Sequence, residues 1–404
     1  MGNTMMTSTI DDIQRALGQL GIPAWLLYSF RDSNPIANAM IGLRPGAHVT
    51  RRWVCLVPAV GRPKTLVHRI EPHLAAQIPG DAQSYSSYDE FTAGLQRMLD
   101  GVDAVAMEYS PMNAIPVVSR VDAGIIDVVR SFGTTVVSSG DLVAWLGARL
   151  DQEQIASARR AGQCMREVVM DAFAGIARSM RSGADVSELS VQAGIMQAFS
   201  QRGIETDHAP IVAVNANSAD PHYSPTTDRS TIIRAGDFVL IDLWGRERGA
   251  RSVFGDITWT AYVGDRVPDD IREVFDVVAR ARDVAFDGVR TAFEQGKPIT
   301  GADVDRLARS VIDAAGYAQY FVHRTGHSIT SELHGAGVNL DGFESHDTRN
   351  LSCSTSFSIE PGIYLPGRFG IRSEIDVVID GHGIVTATSE PRQQSVLPLL
   401  AYDA

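Results

Sequence analysis

Cysteine is scarce: three in 404 residues, Cys55, Cys164 and Cys353, with no Cys-x-x-Cys pair. That excludes a disulfide framework and a zinc knot, and leaves buried, reduced thiols as the expectation. Positive charge is also short. Thirty-six Lys and Arg stand against 48 Asp and Glu, a net charge of −12 that argues against nucleic acid and anionic membrane surfaces as partners. No apolar run approaches transmembrane length, and the opening MGNTMMTST has no basic stretch followed by an apolar one. A soluble, cytoplasmic protein is expected. With no GxGxxG after a strand pattern, no phosphate-binding loop, no solenoid repeat and no low-complexity segment, nucleotide chemistry and array architectures drop out.

What is present points to two domains, since a chain of this length exceeds the size at which one core stops growing. Residues 1–150 alternate short apolar strands with helical segments. The strand candidates are 24–29, 52–60, 64–69, 104–108 and 134–138, and the helical ones 9–20, 91–99 and 117–129. This predicts an α/β domain with no catalytic cluster, whose expected job is to cover part of a site or make an oligomer contact. From 151 to 404 the pattern changes to long amphipathic helices and strand hairpins. Cys164, Met165, Val168, Val169, Ala172, Phe173 and Ile176 form one apolar stripe, and similar stripes recur at 187–199, 274–289 and 304–312. Hairpins with helices over one face predict an α+β domain with an antiparallel or mixed sheet.

Chemistry concentrates in two of those hairpins. In DFVLIDLWGRERGARSVFGDITWTAYV, strand alternation puts Phe238, Leu240, Asp242 and Trp244 on one face, and Asp256, Thr258 and Thr260 on one face of the second strand. Pairing about Gly249 would set Asp242 opposite Asp256, and facing carboxylates repel unless a proton or cation lies between them. SFSIEPGIYLPGRFGIRSEIDVVI repeats the device, with Glu360 and Glu374 again 14 residues apart. Between the hairpins, HRTGHSITSELHGAG carries His323, His327 and His334. Four carboxylates and an imidazole suit a pair of divalent ions such as Mn, Co, Fe or Zn.

Taken together, Asp242, Asp256 in GDITWT, His327 in HRTGHSI, Glu360 in IEPGIY and Glu374 in IRSEID resemble the five metal ligands of the pita-bread metallopeptidases (family M24). NANSADPHYSPT, around His222, is similar to a segment of the aminopeptidase P and prolidase branch. The preceding domain resembles the creatinase-type N-terminal domain. The resemblance implies an α+β pita-bread catalytic domain behind an α/β creatinase-type domain, and two divalent metal ions per chain, manganese foremost. It implies that Asp256 and Glu374 bridge the ions, that Asp242 completes one and His327 with Glu360 the other, and that a bridging hydroxide attacks the scissile carbonyl. Glu360 would shuttle the proton. His222, His323 and His334 would serve the substrate, and Arg372 would orient Glu374. The expected activity is Xaa-Pro cleavage in short peptides, by a homodimer. A creatinase-like hydrolase or dimethylsulfoniopropionate lyase acting on a small-molecule substrate is the alternative within the fold, and a non-catalytic binding module the alternative outside enzymology. The hairpin loop three residues longer than the common form, GHSIT and LHGAG depart from the family pattern on the substrate side, so they bear on specificity.

Overall fold

The computed structural model describes residues 9–43 and 48–401, so the opening MGNTMMTS lies outside the described residues. The chain divides into two compact units, Met1–Arg149 and Leu150–Ala404. Among the described residues no helix is long and apolar enough to cross a membrane.

In the first unit the helices are α1 (Ile10–Leu20), α2 (Pro35–Met40), α3 (Pro72–Ala75), α4 (Tyr88–Leu99), α5 (Ala123–Ser131) and α6 (Gly140–Gly147). The strands β1 (Ala24–Phe30), β2 (Arg52–Pro58), β3 (Lys64–His68), β4 (Asp81–Tyr85), β5 (Ala104–Met107) and β6 (Thr135–Ser138) form a mixed sheet in the order β4-β3-β2-β1-β5-β6. Thr9 starts α1 through a capping box: its hydroxyl accepts from the Asp12 N–H at 3.2 Å, while its own N–H donates to the Asp12 carboxylate at 3.1 Å. Alternate residues of β1 go to opposite faces. Ala24, Leu26 and Tyr28 pack with Phe91 and Leu95 of α4 and Ile126 and Val129 of α5. Trp25 and Leu27 are also fully buried, as a central strand covered on both sides requires.

Beneath that sheet lies a buried acid. Glu108 accepts from the Trp25 indole at 2.5 Å and the Asn34 amide at 2.6 Å, yet burial pushes its carboxyl up to about 7. A carboxyl raised by folding contributes stability that is full below its unfolded pKa and is lost as pH rises through 7. Glu108 is therefore expected to cost about 3 kcal/mol at pH 8 relative to pH 4. Urea unfolding of wild type and Glu108→Gln at pH 5 and pH 8 checks this. The variant should show the flatter pH dependence whatever its absolute stability, and an unchanged slope would remove the assignment.

The second unit opens with α7 (Gln152–Ser182) and α8 (Glu188–Arg202), capped by Asp151 and Ser187. β7 (Ile204–Glu205), β8 (Ile211–Val214), β9 (Phe238–Glu247) and β10 (Gly255–Tyr262) follow, then α9 (Asp269–Glu294) and α10 (Gly301–Ala314), the latter capped by Thr300. β11 (Ser328–Ile329), β12 (Thr355–Ile359), β13 (Gly362–Leu365), β14 (Phe369–Arg372), β15 (Ile375–Ile379), β16 (Val385–Ala387) and β17 (Leu397–Pro398) complete it. One sheet runs β17-β10-β9-β7, with β8 also on β9; a second runs β11-β12-β15-β16; β13 and β14 pair alone.

The long hairpin has a firm inside and outside. Val239, Ile241, Leu243, Ile257, Trp259 and Ala261 join Val168, Val169 and Phe173 of α7 in one core. Asp242, Trp244, Asp256 and Thr258 therefore emerge on the opposite face. The register differs from the sequence expectation: Asp256 pairs with Trp244, and Asp242 with Thr258. The ladder is centred one residue beyond Gly249, which slides the pairing by two positions. An even slip keeps every side chain on its face, so the two acids stay neighbours on a diagonal. In the other hairpin Gly362 pairs with Arg372 and Ile359 with Ile375, so Glu360 and Glu374 oppose one another at the break between the two ladders. The cysteines are all free; Cys55 is buried, whereas Cys164 and Cys353 are only half-buried, a correction to the expectation of three buried thiols.

Candidate active site

The five predicted ligands line a single cavity of about 660 Å³. Asp242 comes from the middle of β9 and Asp256 from the start of β10. His327 immediately precedes β11, Glu360 follows β12, and Glu374 sits between β14 and β15. His327 owes its place to a glycine. A Cβ on Gly326 would lie 2.0 Å from the Ser358 carbonyl oxygen, so only glycine lets the histidine segment close onto β12. The His327 N–H then meets the Ser358 hydroxyl at 3.1 Å, and the Ser358 N–H donates to the His327 carbonyl at 2.9 Å.

Within the cavity Asp256, His327 and Glu374 are the tightest set, with one ligand atom from each lying within 4.8 Å of the others. His327 Nδ1 is 3.3 Å from the Ser328 carbonyl, which places the proton there and leaves Nε2 bare, 3.6 Å from Asp256 and 3.5 Å from Glu360. Burial keeps this imidazole below its ordinary pKa, in the neutral form a metal ligand needs. Burial and then their negative neighbours push Asp256 and Glu374 well above the carboxylate range. One oxygen of each has a protein partner or neighbour: Glu374 Oε2 accepts from the Thr258 hydroxyl at 2.7 Å, and Asp242 Oδ2 pairs with Arg372. The second oxygens, Asp242 Oδ1, Asp256 Oδ1 and Glu374 Oε1, are buried with no partner among the described residues. Buried acceptors are rarely left so. Three orphaned oxygens around a bare imidazole nitrogen fit divalent cations.

Several predicted roles change. Arg372 does not touch Glu374. Its guanidinium pairs with Asp242, donates from Nε to the Thr258 hydroxyl at 2.9 Å and from Nη1 to the Tyr364 hydroxyl at 3.0 Å, reaching Glu374 only through Thr258. Both side chains still face the cavity across the short gap between β14 and β15, and they meet at that one hydroxyl. His323 is also not free for a substrate: Nδ1 meets the Arg324 carbonyl at 2.7 Å and Nε2 meets the Tyr364 hydroxyl at 2.7 Å. Burial, then the charge of Arg372, holds it down at about 3, so it props Tyr364 as a neutral acceptor. His334 does reach the cavity, its ring edge-on to that of His327 with centroids 4.4 Å apart, and it is exposed. His222 is exposed and also lines the cavity. Its neighbour Tyr223 turns away, its hydroxyl bonded to the buried Glu188 at 2.7 Å.

Sequence reasoning passed over Asp376, Tyr364 and Glu188. Asp376 is buried and accepts from the Asp256 N–H at 2.7 Å, so it fixes the backbone that presents Asp256. Two residues past Glu374, it shares that residue's parity, a signal that was available. Glu188 had none. It sits in the first turn of α8 and gathers the N–H groups of Val214 and Thr231, each at 2.7 Å, tying down the loop that carries His222.

The profile of metallopeptidase family M24 matches residues 156–381. A probable dipeptidase PepE of Mycobacterium tuberculosis (strain H37Rv) is 29% identical over 367 residues, 89% of each chain. An Xaa-Pro dipeptidase of Lactobacillus helveticus is 32% identical over 213 residues, 52% of this chain and 51% of that one. Among solved structures, the dipeptidase PepE from Mycobacterium ulcerans superposes with a TM-score of 0.63 at 25% identity, covering 96% of this chain and 97% of the other. The X-Pro aminopeptidase from Thermotoga maritima shares the fold, with a TM-score of 0.54 at 24% identity over 95% of this chain and all of that one.

Proposed function

Because this chain belongs to metallopeptidase family M24 and has its pita-bread fold, we propose that this metallopeptidase cleaves Xaa-Pro bonds in short peptides, as a dipeptidase or aminopeptidase. Its divalent ions, two per chain with manganese foremost, would be held by Asp242, Asp256, His327, Glu360 and Glu374, with Asp256 and Glu374 serving both. When bound, such ions supply an activated water and polarise the scissile carbonyl. The observation that carries the reading is the set of buried, unpartnered oxygens around His327 inside a cavity of peptide size.

The protein's own groups divide the remaining work. Glu360 is the least buried of the acids. Its Oε1 takes the Ser358 hydroxyl at 3.1 Å, and it moves the proton from the attacking water to the departing nitrogen. His334, beside His327 and open to the cavity, donates to the carbonyl oxygen as charge builds on it. His222 holds the substrate farther out. Arg372 holds Asp242 and, through Thr258, Glu374 in place.

A prolyl nitrogen is a tertiary amide with no N–H to offer, so a site for it must recognise the ring by shape. Ala-Pro should therefore be cut at least about 10²-fold faster than Ala-Ala by protein loaded with two equivalents of Mn. Side-by-side kinetics decide the matter, with creatine and dimethylsulfoniopropionate as further arms. Equal rates on the two dipeptides would end the proline reading. Turnover of the non-peptide compounds alone would put the creatinase-like or lyase alternative in its place.

A further inference from the structure

Most of the residues lining the cavity are polar or charged; the apolar ones are Ile211, Pro221, Trp244, Val322 and Leu333. Trp244 is the aromatic one, and three independent features fix its indole. On β9 it shares the face of Asp242 two residues back, and it pairs across the ladder with Asp256. Its Nε1–H donates to Asp207 Oδ1 at 2.9 Å. Together with Leu333 it leans on the buried cluster of Leu150, Ile155, Val253, Phe254, Ile329 and Val378. Next to it, a Cβ on Gly245 would lie 2.5 Å from Ile204 Cγ2, so β7 backs the strand at this level. The result is a braced aromatic slab, half-buried, beside two of the proposed metal ligands.

We propose that Trp244 is the platform for the pyrrolidine ring of the substrate, and hence the residue that selects a cyclic group at the scissile nitrogen. The inference rests on the proline reading above. Its chemistry is that of an aliphatic ring on an aromatic face: the flat indole offers area and dispersion contacts without an added rotamer cost, because the Asp207 bond and the cluster behind it already hold the side chain. The acids and histidines around it cannot provide an apolar contact of that size.

Two dipeptides isolate the contact. Ala-Pro and Ala-sarcosine both present a tertiary amide, and they differ in the two ring carbons that would lie on the indole. Mn-loaded wild type should favour Ala-Pro by about 10-fold or more in kcat/KM, the value of burying two methylenes against an aromatic face. Trp244→Ala and Trp244→Leu should bring that ratio down to about 2-fold, mostly by raising KM for Ala-Pro, while Trp244→Phe keeps most of the preference. Metal content by elemental analysis should be the same in all four proteins, which separates a loss of ring recognition from a disturbed Asp242 or Asp256. Equal wild-type rates on the two dipeptides, or a ratio unmoved in both the Ala and Leu variants, overturns the assignment while leaving the peptidase standing. No cleavage of either by wild type removes the proline reading and this inference with it.

Discussion

Glu374→Ala should leave the protein unable to retain its metal, with turnover lower by about 10³-fold or more. Glu374 is only 2% exposed, and its two oxygens have separate tasks: Oε2 takes the Thr258 hydroxyl, and Oε1 is left without a partner beside Asp256 and His327. Removing the carboxylate takes one member from the tightest ligand set and one of the two acids proposed to serve both ions, so each ion would lose an oxygen ligand. Losing Lewis-acid stabilisation gives up several kcal/mol of transition-state energy, and each 1.36 kcal/mol is tenfold in rate. Glu374→Gln separates charge from shape, because its side-chain oxygen can still accept from Thr258. Elemental analysis after gel filtration is the primary readout. Adding Mn should raise the melting temperature of wild type and leave both variants unmoved, since a ligand stabilises only the protein that binds it. Two tightly held ions in Glu374→Ala would sink the ligand assignment.

How far the site could be read before folding depended on which separation mattered. Facing of side chains is a local property with a period of two, so Asp242, Asp256 and Thr258 went to one side of their hairpin as expected, even though the ladder slid by two positions. The slip itself was invisible, because the path of a seven-residue connection does not follow from its length. Arg372 marks the reverse case. It shares the cavity face with Glu374 two residues on, yet its ionic partner is Asp242, 130 positions away. No local pattern announces such a pair. His323 misled for a related reason: a histidine four places before the metal-binding candidate looks available, and only Tyr364 and the Arg324 carbonyl, brought in by the fold, show that both ring nitrogens are engaged. Helix starts were the most legible features. Thr9 with Asp12 and Thr300 with Asp303 are capping boxes complete within four residues. Glu188 stands at the other extreme, an ordinary first-turn acid in sequence whose partners include Val214, Tyr223 and Thr231.

Arg372→Met should be the most damaging single change to the stability of the metal-free protein, at about 3–5 kcal/mol. That is the scale for deleting one member of a buried ion pair, and it comes from stranding the opposite charge in the interior rather than from the attraction between the two groups. Asp242 is 7% exposed, its Oδ1 is already without a partner, and Arg372 is the cation paired with Oδ2. The same substitution takes donors from Thr258 and Tyr364, which in turn hold Glu374 and His323. A bound ion next to Asp242 supplies the missing positive charge. The destabilisation should therefore be largest in EDTA and shrink when Mn is added, a signature that a purely packing role for Arg372 would not produce. Arg372→Lys should fall between, because a point ammonium cannot bridge three partners as a planar guanidinium does. Asp242→Asn combined with Arg372→Met should cost less than the sum of the two single changes, since neither leaves an unpaired charge once both are gone. Urea unfolding of wild type and the four variants, with and without metal, gives the comparison. An Arg372→Met protein within about 1 kcal/mol of wild type in EDTA, the scale of an exposed ion pair, would mean that Asp242 is not held as a buried anion by this arginine.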